Sequence, residues 1–393
     1  MNKRMVVIGG GIGGLAAALA CARAGVAVEL LERASEFTEV GAGVQLGPNV
    51  VKLIDAWGLR DALSAVAAFP DRLQVRSAIT GAELGVLRLG ERSVQRYGAR
   101  YATIHRADLQ ALLLAAVQRE AGVQLQLNSE FDRYEQDDAG VTVHTTAGRE
   151  LQADFLLGAD GGWSRVRQRL LGDGAPVATG KLAYRAMVVQ RMLPQHLRST
   201  QVTAWLGPNL HVIAYPVRGG EWLNVVVIVH GQLQRDLASW DHRANSGAVR
   251  HSLKLACAPL QDLVQVIGHW RLWGLSIRPP MRGAQEQAQG RVALLGDAAH
   301  PMVPFLAQGA GMAIEDAQAL AQALAGAGAD LPAALQNYAR VRWQRNARVQ
   351  ARALRNGEIF HATGLVRWGR DLAMKMFGER LLDLPWLYNG PSD

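Results

Sequence analysis

Two groups of residues in this 393-residue chain have the types and spacing to do chemistry. Gly9, Gly11 and Gly14 fit G-x-G-x-x-G, with Gly13 adding another small residue inside the run. In such a pattern the first glycine permits a tight turn, the second lets backbone approach a pyrophosphate, and the third lets a helix pack on a strand. Glu32, roughly 20 residues further on, is placed to accept hydrogen bonds from a ribose diol. The second group is His211, Ile213 and Tyr215. Residues two apart on a strand share a face, so an imidazole and a phenol point the same way. Histidine, with an unperturbed pKa of about 6.5, suits proton transfer near neutrality. The bland alternatives are a strand-to-helix turn that holds no phosphate, and a His and Tyr that hydrogen-bond within their own sheet.

The elements that must position these groups are legible around them. Met5–Arg33 reads as a short apolar strand, a glycine turn, an alanine-rich helix, a break at Gly25 and a second strand ending at Glu32. That order makes a βαβ unit, whose helix N-terminus offers free N–H groups and a positive dipole end to phosphates. A turn-rich loop, Gly41–Asn49, enters a helix over about 50–57, and residues 73–89 alternate as strands with a turn at Gly81. Ile104-His-Arg-Ala-Asp-Leu109 opens an amphipathic helix to about Arg119, with Asp108 in the first turn, where acids are favoured. Strands are expected at 123–127 and 141–145. Asp154–Arg167 reads as a buried strand, a second glycine turn and a new helix.

From Leu182 to Val229 the character changes to strands at 183–190, 201–206, 211–217 and 222–230, separated by Pro, Gly and Asn turns. This pattern predicts an antiparallel sheet in a separate lobe. Helical sequence follows at about 246–264. Gly290–Pro301 returns to a short buried strand ending on an acid, a long helix begins near 308–311, and the tail from Leu331 is helical and arginine-rich.

Composition narrows the class. Two cysteines, Cys21 and Cys257, are too few for a disulfide framework or a metal cluster, and a reducing cytoplasm is the expected home. No uninterrupted apolar run reaches about 18 residues, so no membrane partner is expected. The net charge of +8 is spread along the chain without a basic stripe interleaved with aromatics. Small anionic substrates and cofactors account for it better than nucleic acid does.

Three fingerprints occur in one order: the first βαβ turn, then Gly158-Ala-Asp-Gly-Gly-Trp-Ser-Arg-Val-Arg167, then Gly296-Asp-Ala-Ala-His-Pro301 with Gln308-Gly-Ala-Gly-Met-Ala-Ile-Glu-Asp316. Together, and over nearly the whole chain to Pro385-Trp-Leu-Tyr388, they resemble the single-component FAD-dependent aromatic hydroxylases typified by para-hydroxybenzoate hydroxylase. Within that group, the segments at 41–49, 104–109 and 207–216 are most similar to salicylate hydroxylase, 3-hydroxybenzoate 6-hydroxylase and 6-hydroxynicotinate 3-monooxygenase. The resemblance implies an α/β fold with a discontinuous Rossmann-like FAD-binding domain (1–70, 103–175 and 286–328). It also implies an inserted domain with a mixed or antiparallel sheet (71–102 and 176–285) and a helical C-terminal region (329–393).

It further implies FAD as cofactor, with Gly9, Gly11, Gly13 and Gly14 at the pyrophosphate, Glu32 on the adenosine ribose and Arg33 near the adenine. Arg106 would reach the phosphate or ribitol region, Phe131 the adenine through its backbone, Asp160 the FAD and nicotinamide nucleotide, and Asp297 the ribitol. An aspartate ending a strand otherwise caps the next helix. Gly309, Ala310 and Gly311 present free N–H groups at a helix start, where a reduced flavin's negative charge is stabilised. Pro304 removes a donor and fixes backbone in the preceding loop. His211 and Tyr215 match substrate-pocket positions. Gln45, in a loop the family folds against the flavin ring, can orient a substrate but cannot act as a base near neutrality. In the hydroxynicotinate enzyme's pattern a histidine stands there, so Gln45 argues against that substrate. Tyr184 and Arg185 precede the substrate strands, and Arg185 could grip a carboxylate.

The expected reaction is hydroxylation of a phenolic acid or hydroxylated N-heterocycle by O2 and NADH or NADPH through a flavin C4a-hydroperoxide, in a monomer or homodimer. Two other readings stay open. One is a flavin dehydrogenase or oxidase on the same fold, and the other is a non-catalytic flavin- or nucleic-acid-binding protein.

Overall fold

The computed structural model describes residues 3–391 apart from 38–41, 233–241, 327 and 329. Gly41, the first residue of the expected turn-rich loop, lies outside that set. By backbone proximity the chain divides into two compact units. One comprises Met1–Glu39, Leu109–Val177 and Ile277–Ala353, and the other Val40–Asp108, Ala178–Ser276 and Leu354–Asp393.

The first unit is built on a six-stranded sheet in the order Ala288–Gln289, Val292–Leu294, Phe155–Gly158, Arg4–Ile8, Ala27–Leu31, Val123–Gln126. Its five larger strands pair in parallel and only the Ala288–Gln289 edge is antiparallel. Parallel strands must be covered on both faces, which is why Met5–Ile8, Phe155–Leu157 and Val292–Leu294 read as unbroken apolar runs. Arg4–Ile8 is central, and the chain after it adds Ala27–Leu31 on one side and Phe155–Gly158 on the other. That makes the end of this strand, at Gly9, a topological switch point, where open α/β sheets bind ligands. A three-stranded antiparallel sheet, Glu150–Ala153, Val141–Thr145 and Phe131–Gln136, packs its Val141, Val143, Leu151 and Phe131 with Val6, Leu156 and Val292.

The second unit contains an eight-stranded mixed sheet. Leu210–Val217 pairs antiparallel with both Val202–Gly207 and Trp222–His230, and Trp222–His230 pairs antiparallel with Val177–Val189. Val202–Gly207 and Arg72–Ser77 run parallel, which their wide separation in sequence permits. Strand alternation sorts this sheet cleanly. Tyr184, Val212, Ala214, Val225 and Val227 enter an apolar core with Leu260, Leu263 and Trp270. The paired residues His211 and Ile228, Ile213 and Val226, and Tyr215 and Asn224 therefore share the opposite face. Ile104 and His105, expected to open a helix, instead end the strand Ala102–His105, which pairs with Gly43–Leu46, and the helix begins at Arg106.

The first unit is locked by charges rather than by grease. Arg342, fully buried on the helix Leu331–Phe360, donates from Nε to Asp316 (2.7 Å) and from Nη1 to Glu315 (2.9 Å) on the helix Gly309–Ala325. Asp316 also accepts from His300 Nε2 (2.6 Å), Asn346 (3.0 Å) and the Gly296 amide (3.2 Å). Burial alone would raise the Asp316 carboxyl, but His300 and Arg342 hold it well below the ordinary carboxylate range. A depressed folded-state pKa contributes stability above the unfolded value of about 4, and that contribution is lost as the pH falls below it. Replacing Asp316 by Ala removes one of the two buried carboxylates that pair with Arg342 and leaves its Nε without that acceptor in the core, and is expected to cost about 3–5 kcal/mol in urea unfolding. In Asp316→Asn, the share of acid sensitivity that comes from this carboxylate should disappear.

Candidate functional site

The first unit supplies a cradle at the switch point. Gly9 has φ +106°, and a Cβ there would stand 2.5 Å from the Ala159 carbonyl oxygen. A Cβ on Gly14 would lie 1.9 Å from the Gly9 carbonyl oxygen, and one on Gly13 2.7 Å from Leu295. Backbone atoms leave no room for a side chain at Gly9 and Gly14, while at Gly13 the end of the Leu295 side chain would have to shift. Gly11 differs: a Cβ there meets nothing within 4 Å, so its backbone borders open space at the start of the helix Ile12–Arg23. The N–H groups of that first turn have no intrahelical acceptor and suit a phosphate.

Glu32 accepts from the amides of Gly10 (2.7 Å) and Ala34 (2.8 Å), which fixes its carboxylate against the glycine turn while each oxygen keeps capacity for a hydroxyl. Arg33 is exposed beside it. Gln110 donates to the Gly10 carbonyl (3.0 Å), a brace on the turn with no motif to announce it. Phe131 buries its ring in the core, and its carbonyl accepts from Arg165 (3.1 Å).

Asp160 accepts from Ser164 Oγ (2.5 Å) and the amides of Arg165 (2.8 Å) and Val166 (3.2 Å), thereby capping the helix Arg165–Leu171. Burial pushes its pKa up against the pull of those donors. Asp297 is different in kind: an exposed carboxylate flanked by buried Gly296 and Ala298, facing the start of the helix Gly309–Ala325, where a Cβ on Gly309 would lie 3.9 Å from it. Gly309, Ala310 and Gly311 form that helix's first turn, which contains no acid, and exposed Pro304 opens the short 3-10 turn before it.

The second unit collects the polar side chains of the other group. His211 is fully buried and Tyr215 nearly so. The strand Gly43–Leu46 lies against Tyr215 and Asn224: the Gly43 amide donates to Asn224 Oδ1 (2.8 Å), and a Cβ on Gly43 would fall 2.5 Å from the Tyr215 ring. That close approach delivers Gln45, whose Oε1 accepts from Tyr101 (2.7 Å) and which also hydrogen-bonds Tyr215. Burial raises both phenols, strongly for Tyr101; for Tyr215 the Arg185 charge and the Gln45 bond pull the other way.

Arg185 sits in an interior strand of the eight-stranded sheet, buried and stacked over Trp273, rather than solvated at a sheet edge. Its row, Ile213–Val226–Arg185, places it on the His211 face, whereas its neighbour Tyr184 goes into the apolar core. Arg106 opens its helix in this same unit, its amide donating to Ala42 (2.7 Å).

Two histidines with no sequence motif join His211. His211 Nδ1 lies 2.7 Å from His361 Nε2, and His361 Nδ1 lies 3.0 Å from His230 Nε2. Burial lowers the His211 pKa well below its ordinary value, helped by His361 and Lys181. Burial, then His230, Lys181 and Arg370, bring His361 down to about 3. Only the alternation of the strand 222–230 could have hinted that His230 shares the His211 face; His361 gave no local signal.

The glycine cradle, the open side at Gly11 and the exposed Asp297 fit the pyrophosphate and polyol of FAD, and they distinguish ligand binding from packing in a testable way. Gly11→Ala should keep the apoprotein's melting temperature but weaken FAD binding, because its methyl enters the open space. Gly14→Ala should lower the melting temperature itself, since overpacking typically costs about 1–3 kcal/mol. Thermal melts and flavin absorbance after gel filtration separate the two outcomes.

The pattern of the FAD binding domain family matches residues 3–353. A 3-hydroxybenzoate 6-hydroxylase of Polaromonas naphthalenivorans is 40% identical over 387 residues, covering 98% of this chain and 95% of that protein. A 6-hydroxynicotinate 3-monooxygenase of Bordetella bronchiseptica is 37% identical over 350 residues, covering 89% of this chain and 90% of its own. Among solved structures, Klebsiella pneumoniae HpxO complexed with FAD and uric acid matches with a TM-score of 0.87 at 26% identity, over 99% of this chain and 97% of that one. A salicylate hydroxylase substrate complex matches with a TM-score of 0.83 at 28% identity, over 99% and 95%. The chain belongs to the FAD binding domain family and is one of its flavin-dependent aromatic hydroxylases.

Proposed function

We propose that this enzyme hydroxylates a monocyclic phenolic acid of the 3-hydroxybenzoate type, using NADH or NADPH and O2. The observation that carries the substrate class is the single face of the eight-stranded sheet that gathers His211, Ile213, Tyr215 and Arg185. A buried guanidinium suits a carboxylate, a buried neutral imidazole suits the proton of a ring hydroxyl, and Ile213 offers the apolar contact a ring needs. Gln45, tied to Tyr101 and Tyr215, orients without titrating. The 40% identity to a 3-hydroxybenzoate 6-hydroxylase supports the same class.

Bound FAD supplies the electrophilic oxygen equivalent after reduction by the nicotinamide nucleotide and reaction with O2. Gly9, Gly11, Gly13 and Gly14 would hold its pyrophosphate, Glu32 its adenosine ribose and Asp297 its ribitol. Gly309, Ala310 and Gly311 would place a positive helix end near its ring, and Arg33, Arg106, Phe131, Asp160 and Pro304 complete the proposed contacts. The second unit's residues work on the aromatic substrate. Arg185 anchors the carboxylate, Tyr215 positions the ring, and His211 removes the hydroxyl proton, which makes the ring electron-rich enough to attack oxygen. Apolar walls around such a face exclude water from the reaction. The free cysteines Cys21 and Cys257 are in keeping with a reducing cytoplasm. Among the described residues no helix is long and apolar enough to cross a membrane.

The test is hydroxylation of a panel of phenolic acids under isotope-labelled oxygen. Label in the product supports the reading; substrate oxidation without label would instead establish a dehydrogenase or oxidase. His211→Ala and Tyr215→Phe should each lower hydroxylation by about 10²-fold or more, the usual reach of a positioned acid–base group, while leaving FAD bound. Because burial holds His211 in its neutral, proton-accepting form, the acid limb of kcat/KM should lie below pH 6.5, the ordinary histidine value. A limb at or above that value contradicts the assignment.

A further inference from the structure

The second unit holds three imidazoles in a row from a fully buried residue to an exposed one. His211 lies in the strand Leu210–Val217, His230 at the end of the strand Trp222–His230, and His361 just after the helix that ends at Phe360. His211 is paired with Ile228, so His230, two residues further on, lies on the same face of the sheet. His361 bridges them. Its Nε2 meets His211 Nδ1 at 2.7 Å, its Nδ1 meets His230 Nε2 at 3.0 Å, and the ring centroids are 4.9 and 5.1 Å apart. The bridge is held from several sides. The His361 amide donates to Gly357 (3.3 Å), its carbonyl accepts from the Asn209 amide (3.1 Å), Phe360 packs edge-on against the His211 ring, and Arg370 donates to the carbonyls of Ile359 (3.0 Å) and Phe360 (2.8 Å).

The arrangement does not suit a metal ion. A mononuclear site takes one nitrogen from each histidine at about 2.0–2.1 Å. Here the middle ring spends both nitrogens on its two neighbours. Among the described residues no group of three metal-binding side chains converges on a point.

We propose that His211, His361 and His230 form a relay that carries the proton of the substrate's ring hydroxyl out of the buried face to solvent. The proposal rests on the reading of His211 as the group that meets that hydroxyl. The substrate O–H breaks and leaves its electron pair on oxygen. Its proton joins His211 at Nε2, the nitrogen not joined to His361. His211 gives its Nδ1 proton to His361 Nε2, His361 gives its Nδ1 proton to His230 Nε2, and exposed His230 gives its Nδ1 proton to water. Each ring gains one proton and loses one, so no charge stays on the imidazoles and the only buried charge is the substrate's phenolate; return of a proton to the product along the same row restores the tautomers. Lys181 and Arg370 face the row with positive charge. Together with burial they keep all three rings neutral at rest, which is the state in which an imidazole both accepts and donates. A buried His211 acting alone would have to hold an imidazolium that its surroundings disfavour.

The exposed end gives the decisive variant, because His230→Ala removes the exit with little disturbance of packing. In the holoenzyme with a phenolic acid confirmed as substrate, kcat should fall about tenfold or more, while KM and FAD content change less than about twofold. Imidazole or another small base in the buffer should restore the rate in proportion to its concentration, more strongly for the stronger base, and should not accelerate the wild type. His361→Gln, which can still hydrogen-bond but does not relay protons near neutral pH, should lose activity similarly and show a larger solvent deuterium effect. The relay is overturned if His211→Ala is impaired while His230→Ala and His361→Gln turn over normally at every pH. It is equally overturned if His230→Ala loses activity that no buffer base restores. Normal hydroxylation by His211→Ala would instead remove the underlying assignment of His211 and the relay with it.

Discussion

The buried carboxylate of Asp316 is the point on which the first unit depends. It takes the Arg342 guanidinium, the His300 ring, the Asn346 amide and the Gly296 amide at once. Those four partners come from a long C-terminal helix and from the loop that carries Asp297. One charge therefore sets the height of that loop above the start of the helix Gly309–Ala325. Glu315, held by Arg342 and by both Arg345 donors, completes the neutralisation, and Gln350 extends the same helix's grip to the Pro301 carbonyl (3.1 Å). A buried ion cluster of this kind is weak evidence for extra stability but fixes one arrangement, because any other leaves a charge without its partner in a dry core. The side chain of Asp297 itself stays exposed between the buried residues Gly296 and Ala298.

The second unit solves a related problem with strand alternation. Its large sheet puts aliphatic side chains on one face and His211, Tyr215, Arg185 and Asn224 on the other, and then presses Gly43 against the polar face so closely that no side chain fits there. The result is a set of buried hydrogen-bonding groups in which the phenols and imidazoles are all kept uncharged. The phenols are held protonated and the imidazoles are held neutral, in each case because burial disfavours the charged form.

The sequence made local features legible and left distant ones hidden. Arg4–Ile8, Ile12–Arg23 and Ala27–Leu31 appear where the glycine spacing and the apolar runs place them, and the strands 211–217 and 222–230 follow from alternation between Pro, Gly and Asn turns. The family likeness carried the rest of the cofactor residues. Harder to read was the strand Ala102–His105, whose partner Gly43–Leu46 lies some sixty residues away and overrides the helical character that follows it. His361 was invisible for the same reason: nothing in an arginine-rich helical tail marks a residue that completes a row of imidazoles begun 150 positions earlier. Asp316 stood inside a recognised motif, yet its role depends on Arg342, which reads locally as one more surface arginine. The burial of Arg185 was hidden as well, because the strand 177–189 is interior, which only the strand order reveals.

The glycine crevice has a temporal consequence. Its floor is made first, at residues 4–14, but its walls arrive with Phe155–Gly158 and then with Val292–Leu294 and Leu295, which packs on Gly13. At about 5–20 residues per second, a ribosome needs roughly 15 to 60 s to deliver that last strand. Until Phe155–Gly158 emerges, Arg4–Ile8 has one apolar edge unpaired, and from then until Val292–Leu294 emerges the unpaired edge is that of Phe155–Gly158. Such long-range closure makes for slow folding and extended dependence on chaperones, a burden that follows from the order of the strands rather than from any single weak contact.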